Sequence, residues 1–175
     1  MHQLILMRHA KAERARDDEP DHMRALSPAG RDAALRMRGL ARSLGLEPDV
    51  VLVSSARRTR ETLDCVAFWD DQPNIETLDA LYMAPPARLL EILQGLRETV
   101  RSVMIIGHNP GLHDLALDLA AGAPGARAAP SAAHIALNEG FPTARLADFL
   151  VLTPWRDLRA AGVRLQRVID PPTTR

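Results

Sequence analysis

The stretch LILMRHA, residues 4–10, decides the fold class of this chain. Its four leading residues, Leu4 to Met7, are continuously apolar, which is typical of a short strand covered on both faces. Arg8 and His9 follow directly, although both side chains are polar and are unfavourable in an apolar core. We therefore expect the core to end at Arg8 and a pocket to begin there.

The same continuous character marks three further apolar runs, which lie at 50–53, 103–106 and 149–152. Helical patterns separate these runs. We expect one helix from the Ser27-Pro28 cap to Gly45, one over about 56–68, one after Pro85-Pro86 and one from the Asn109-Pro110 cap to near Gly122. Edge strands are expected at 147–152 and 163–169, and a surface loop at 122–131. Strands that alternate with helices predict a three-layer α/β/α sandwich with a mainly parallel central sheet.

The composition is that of an ordinary globular domain, and 175 residues predict a single domain over 1–175. The formal net charge is zero, so no overall field would steer the chain to nucleic acid or to an anionic membrane. A single cysteine, Cys65, excludes an internal disulfide and a cysteine-rich zinc cluster. Neither a signal peptide nor a membrane span is evident, so we expect a cytoplasmic protein. The sequence makes no prediction of the oligomeric state.

Arginine and histidine side chains follow the first three apolar runs at the point where each run ends. They are Arg8 and His9 after the first, Arg57 and Arg58 after the second, and His108 after the third. The ligand crevice of an open α/β sheet lies at the carboxyl ends of its strands, so we expect these side chains to meet. Two of the strand ends lead directly into helices, whose N-termini favour an anion.

A phosphoryl group is the ligand that this set of side chains fits best. Arginine matches phosphate oxygens in pairs and keeps its charge. Two histidines would also suit a divalent metal, but the arginines repel a cation and no carboxylate follows these strand ends. We therefore predict no metal and no cofactor. Taken alone, the motifs are more typical of a surface rim, a helix start or a solvated helix face, and it is their combination that favours a phosphate pocket.

The three motifs resemble those of the histidine phosphatase superfamily, in the branch that includes the phosphoglycerate mutases. Within it, the chain is most similar to the small SixA-type phosphohistidine phosphatases. The similarity rests on five stretches of the sequence: the first motif at Met7 to Lys11, the second at Ser54 to Thr62, the third at Gly107 to Pro110, the segment Asp21 to Pro28, and the landmarks Phe141 to Thr143 with Trp155. The second motif departs from its relatives at Ser55 and Thr59, and its functional arginine falls on Arg58 rather than Arg57.

The resemblance implies a phosphoglycerate mutase-like fold and a phosphatase that works through a phosphohistidine intermediate. It implies that His9 is the nucleophile and that Arg8, Arg58 and His108 hold the phosphoryl oxygens. Asn109 joins them as a substrate-binding residue. Asp21 lies near the first motif, and both a place on the pocket rim and simple exposure stay open for it.

The short chain leaves little room for the lid that covers the pocket in relatives with small substrates. We therefore expect a phosphate carried by another macromolecule, namely phosphohistidine of a protein partner. A small-molecule phosphomonoesterase or mutase-like enzyme and a non-catalytic phosphate-binding module remain alternatives.

A general acid is the remaining question. Relatives that cleave phosphomonoesters place one between the second and third motifs, where this chain offers Asp79 ahead of Glu76 and Glu91. A solvated loop carboxylate is the competing interpretation of Asp79. An imidazole leaving group needs little help from an acid, because it titrates near pH ~6.5.

Overall fold

The computed structural model describes residues 1–69, 73–122 and 131–173, which form one six-stranded sheet with helices on both faces. The strands are β1 (His2–Arg8), β2 (Val50–Ser54), β3 (Asn74–Leu78), β4 (Ser102–Gly107), β5 (Leu146–Val151) and β6 (Val163–Ile169). The helices are α1 (Pro28–Ser43), α2 (Arg57–Val66), α3 (Pro86–Gln94), α4 (Gly111–Ala120) and α5 (Ala132–Asn138). The expected α/β class is confirmed. In the described residues, no helix is long and apolar enough to cross a membrane.

The sheet has the strand order β3-β2-β4-β1-β5-β6. The pairs β3-β2, β2-β4 and β4-β1 are parallel, whereas β5 runs antiparallel to both of its neighbours. The expectation of an edge strand at 147–152 was wrong for β5, because β1 and β6 flank it. The parallel strands β1, β2 and β4 lie side by side, so their carboxyl ends share one edge of the sheet.

Two apolar cores, one on each face of the sheet, explain why the central strands are continuously apolar. Alternate residues of β1 face opposite sides, since Leu4 and Leu6 pack in one core and Ile5 and Met7 in the other. Helices α1 and α2 cover the second face, and α3, α4 and α5 cover the first. These layers confirm the predicted three-layer sandwich.

Local signals in the sequence set the boundaries of α1 as expected. The Ser27 hydroxyl accepts a hydrogen bond from the Gly30 amide, Pro28 takes the first helical position, and Gly45 follows the helix with a φ of 63°. The expectation that Asn109 caps α4 was wrong. Pro110 precedes that helix without a side-chain cap, and the Asn109 amide instead donates to the Phe141 carbonyl at 2.9 Å.

Helix α4 is held close to the loop that precedes α3, and Gly111 permits this approach. A Cβ atom at Gly111 would lie 1.9 Å from the Ala84 carbonyl oxygen, so no larger residue fits without moving the backbone. This contact fixes the start of α4, which follows His108 and Asn109 directly. The strand end and the neighbouring loop with Tyr82 are therefore positioned together.

Two elements were not predicted from the sequence, namely β3 and α5. The pattern of β3 is mostly polar and exposed, because it is an edge strand. Helix α5 has only seven residues. Most of the surface loop expected at 122–131 lies outside the described residues.

Candidate active site

A cavity of about 360 Å³ lies at the edge of the sheet where β1, β2 and β4 end. Five of the six residues predicted for the site line it, the exception being Asp79. Its lining comprises Arg8, His9, Asp21, Arg24, Arg58, Tyr82, Met83, His108 and Asn109. The structure thus brings together all the predicted phosphate-binding side chains, although they are up to 101 positions apart in the chain, from Arg8 to Asn109.

His9 presents one ring nitrogen to this cavity in a defined protonation state. Its Nδ1 lies 2.7 Å from the Ala10 carbonyl oxygen, which accepts only, so Nδ1 carries the proton. Its Nε2 accepts a hydrogen bond from Arg58 Nε at 3.3 Å, so this nitrogen bears the lone pair. The ring is thereby oriented with its nucleophilic atom beside a guanidinium group.

The surroundings of His9 also keep its ring neutral. Burial lowers the pKa of His9 to about 4, and the positive charges of Arg58, Arg8 and Arg24 act in the same direction. The hydrogen bond to Ala10 opposes these effects without outweighing them. At neutral pH the Nε2 lone pair is therefore available for attack.

Arg58 is the central cation of the cavity, with a side chain that is only 4% exposed. It comes from the first turn of α2, which begins directly after β2. Besides the bond to His9, its Nη1 donates to the Asp21 carbonyl at 2.6 Å and its Nη2 to the Asp21 carboxylate at 2.9 Å. Nη2 also lies 3.4 Å from His108 Nδ1. Arg58 thus links both histidines to the opposite wall of the cavity.

His108 follows β4, with its ring centroid 5.2 Å from that of His9. Its Nδ1 faces a donor of Arg58, so the proton resides on Nε2, which donates to the Ser54 hydroxyl at 2.8 Å. Burial, together with His9 and Arg58, lowers the pKa of His108 to about 3. Ser54, at the end of β2, was not predicted as a partner of this ring.

Arg8 and Asn109 both donate to the Phe141 carbonyl, which lies in the segment between α5 and β5. Arg8 Nη1 donates to this oxygen at 3.0 Å, and Asn109 Nδ2 donates to it at 2.9 Å. Among the described residues, Arg8 Nε and Asn109 Oδ1 are buried without a hydrogen-bond partner. Leaving a buried donor unpaired costs about 1–3 kcal/mol, so the Arg8 Nε–H group is a donor suited to a bound oxyanion.

Asp21 brings a carboxylate into the cavity that the strand ends themselves lack. It lies in a single 3-10 turn, Asp21–Met23, and its carboxylate accepts from Arg24 at 2.6 Å and from the Tyr82 hydroxyl at 2.8 Å as well as from Arg58. Although partial burial opposes it, hydrogen bonds from Tyr82, Arg24 and Arg58 hold the pKa of Asp21 well below its usual range. Asp21 is therefore an ionised rim residue at every ordinary pH.

Tyr82, like Met83, lines the cavity but was not predicted from the sequence. Its ring stands edge-on to His108 at 5.4 Å and to His22 at 4.9 Å, and it lies 5.9 Å from the Arg58 guanidinium. It is the one tyrosine in the sequence, and it falls in the stretch searched for an acid. Its place in that stretch was the signal in the sequence that could have identified it.

Asp79 is exposed and does not line the cavity. The structure therefore does not bring this candidate acid to the other predicted site residues. Its role stays a prediction.

A second hollow, of about 590 Å³, lies between β2, β3 and α3. It is larger than the cavity at the strand ends, but its lining contains no histidine, and its Arg88 is paired with Glu91 at 2.6 Å. The chemistry of the lining, rather than the size of the hollow, makes the cavity at the strand ends the candidate active site.

Comparison with known proteins decides the family. No family model matches the sequence. An uncharacterized protein of Mycobacterium tuberculosis is 34% identical over 153 residues, which are 87% of this chain and 91% of the relative. A structure from Nakamurella multipartitia, provisionally named phosphohistidine phosphatase SixA, matches with a TM-score of 0.82 and 28% identity over 98% of this chain and 97% of that one. The structure of the protein histidine phosphatase SixA complexed with tungstate matches with a TM-score of 0.70 and 26% identity over 97% of each chain.

The chain belongs to the histidine phosphatase superfamily. This membership confirms the resemblance found in the sequence and the phosphoglycerate mutase-like fold. The chain is a phosphatase, and hence a hydrolase. The roles of its individual side chains are predictions that rest on the geometry described above.

Proposed function

We propose that this phosphatase removes phosphate from phosphohistidine of a protein partner through a covalent intermediate on His9, without a metal. The observation that carries the proposal is the state of His9. The Ala10 carbonyl holds the proton on Nδ1, and Nε2 keeps its lone pair inside a cavity that Arg8 and Arg58 make positive. Such a nitrogen is an activated nucleophile for a phosphoryl group.

In the first step, the Nε2 lone pair of His9 forms a bond to phosphorus, and the bond from phosphorus to the substrate nitrogen breaks. The electron pair of that bond leaves with the substrate ring, which is protonated on its other nitrogen and therefore departs as neutral imidazole. Positive charge develops on the His9 ring as Nε2 is phosphorylated, and the Ala10 carbonyl stabilises it through the Nδ1–H group. This contact therefore orients the ring and favours the intermediate.

In the second step, a water molecule attacks phosphorus, and the bond to Nε2 breaks. The electron pair returns to Nε2, inorganic phosphate forms, and one proton of the water passes to solvent. His9 is then in its starting state, so the cycle is complete.

The positive side chains of the cavity stabilise the charge on the phosphoryl oxygens in both steps. Arg58 supplies a buried, permanently charged fork, and Arg8 supplies the unpaired Nε–H donor. On the β4 side, Asn109 offers the second N–H of its amide, and His108 becomes a donor to the phosphoryl group once its Nδ1 is protonated, because its Nε2–H is given to Ser54. These charges do the work that a metal ion does in other phosphoryl-transfer enzymes, so loss of activity on treatment with a chelator would contradict the scheme.

The ionisation state of the carboxylate in the cavity indicates which leaving group the site can expel. Asp21, the carboxylate in the cavity lining, is fully ionised because three donors hold its proton affinity down, so it is a poor general acid. An alkoxide needs protonation to leave, whereas a phosphohistidine ring that already carries a proton on its other nitrogen releases neutral imidazole without an acid from the enzyme. The cavity therefore favours cleavage of a P–N bond, in agreement with the SixA name of the structural neighbours.

We expect kcat/KM for a phosphohistidine or other phosphoramidate substrate to exceed that for alkyl phosphomonoesters by at least about tenfold, because the site lacks a strong acid. Steady-state rates on a matched panel of the two substrate types measure this ratio. Asp79→Asn serves as the accompanying variant and should lower the phosphoramidate rate only modestly, since Asp79 does not line the cavity. Equal rates on both substrate types, with a collapse of both in Asp79→Asn, would show that an acid operates and that the substrate is an ester.

We expect the acid limb of the kcat/KM profile to lie far below pH 6.5, because His9 must be neutral to attack and its pKa is lowered to about 4. An unperturbed imidazole would be only about 10% neutral at pH 5.5, whereas His9 stays mostly neutral there. The rate constant for phosphoenzyme formation should therefore retain most of its pH 7 value at pH 5.5. Rapid-quench trapping of the phosphoenzyme, corrected for the uncatalysed loss of substrate in acid, measures this rate constant. An acid limb centred at pH 6.5 would contradict the prediction.

A further inference from the structure

Arg58, which we propose binds the phosphoryl group, is already paired with the carboxylate of Asp21 in this structure. Asp21 takes up both terminal nitrogens of its guanidinium, one through the main-chain carbonyl at 2.6 Å and the other through the carboxylate at 2.9 Å. Nε is directed to His9, and Nη2 also faces His108 Nδ1 at 3.4 Å. A phosphoryl oxygen that approaches Nη2 must therefore displace the Asp21 carboxylate or His108 Nδ1, or share the donor with one of them.

The Asp21 carboxylate is held beside Arg58 by hydrogen bonds, but its exposure allows it to move away. The Tyr82 hydroxyl donates to Oδ2, the oxygen that also accepts from Arg58, and Arg24 donates to Oδ1. Its side chain is nevertheless 47% exposed, whereas that of Arg58 is 4% exposed, so the carboxylate can rotate toward water while the guanidinium stays. The main-chain contact to Arg58 Nη1 does not depend on the side chain and would persist after such a rotation.

We propose that Asp21 is a specificity-determining residue that competes with phosphate for Arg58 and so prevents the site from holding inorganic phosphate tightly. The inference rests on the proposed function, in which inorganic phosphate is the product. A carboxylate and a phosphate dianion beside one guanidinium repel each other, so the competition weakens the binding of every oxyanion at this site. A phosphorylated protein adds contacts outside the cavity that offset this cost, whereas free phosphate has none. The competition therefore discriminates against the product and speeds its release.

The test is the dissociation constant of inorganic phosphate, measured by titration calorimetry. The proteins compared are the wild type, Asp21→Asn, Asp21→Glu and Asp17→Asn, with Arg58→Ala as the variant expected not to bind. Asp21→Asn retains the shape and the main-chain carbonyl but removes the charge, and we expect it to bind phosphate about fivefold more tightly, the effect of a partly exposed charge pair of about 1 kcal/mol. Asp21→Glu restores the charge and should return the affinity to the wild-type value. Asp17→Asn removes one charge from an exposed position outside the cavity lining and should leave the affinity unchanged.

Asp21→Ser provides a second variant without the carboxylate, in case Asp21→Asn does not fold. Unchanged or weaker phosphate binding in the charge-free variants would overturn the inference, and so would equal tightening in Asp17→Asn. Either result leaves the proposed function intact as long as the wild type binds phosphate and Arg58→Ala does not. Failure of every variant and of the wild type to bind phosphate would instead overturn the proposed function together with the inference.

Discussion

Replacing His9 by alanine is expected to reduce phosphatase turnover by at least about 1,000-fold, because the variant has no atom on which the covalent intermediate can form. His9 Nε2 is the nitrogen whose lone pair enters the cavity, while its Nδ1 proton is committed to Ala10. Initial rates with a phosphohistidine peptide measure the loss. Rapid quenching of the wild-type reaction should also trap an acid-labile phosphoryl group on the protein, which His9→Ala does not form.

A matched histidine control separates this effect from a general effect of the substitution. His134 lies on α5, outside the cavity lining, and bonds to the neighbouring Ser131 hydroxyl. We expect His134→Ala to leave both the rate and the phosphoenzyme unchanged. Turnover that survives His9→Ala undiminished would assign the nucleophile elsewhere, and the proposed mechanism would be wrong.

Replacing Arg58 by alanine is expected to lower kcat/KM by about 100- to 1,000-fold, the usual range for removing one preorganised donor to a transition-state charge. Arg58 is buried, contacts both histidines of the cavity and carries a permanent charge. Arg58→Lys keeps the charge but loses the planar fork, so its activity should fall between those of Arg58→Ala and the wild type. Steady-state kinetics on the phosphoramidate substrate give these ratios.

The neighbouring Arg57 provides the control for Arg58. Its side chain is 45% exposed and pairs with Glu61 on the same helix at 2.8 Å, outside the cavity lining. Arg57→Ala removes the same charge one residue away and should leave kcat/KM within about twofold, as for ordinary surface charges. An equal loss in both variants would show that general positive charge, rather than the position of Arg58, supports the reaction.

The central strands and the strand-end residues could be predicted because their signals are local. A strand covered on both faces must be continuously apolar, so β1, β2 and β4 are visible as runs of apolar residues. A charged pair directly after such a run must lie at the end of the strand. The parallel arrangement then places Arg8, His9, Arg58 and His108 at one edge, and the structure confirms this placement.

Elements whose burial depends on their neighbours could not be predicted in the same way. Strand β3 is polar and exposed, because only β2 pairs with it and no partner pairs with its other side in the described sheet. Helix α5 is short, so its apolar periodicity spans fewer than two full turns. The position of β5 between β1 and β6 is a matter of pairing, which its own residues do not specify.

The sequence by itself determined the fold class and the arginine and histidine side chains that meet at the strand ends, since both follow from local patterns and from the rule that parallel strands end together. Only the tertiary structure decided the state of those side chains. The proton on His9 Nδ1, the Ser54 partner of His108 and the Asp21 carboxylate on Arg58 each depend on distances of about 3 Å. The last two join residues 54 and 37 positions apart. Contacts of that kind arise from the packing of whole elements against each other, which no local pattern of residues encodes.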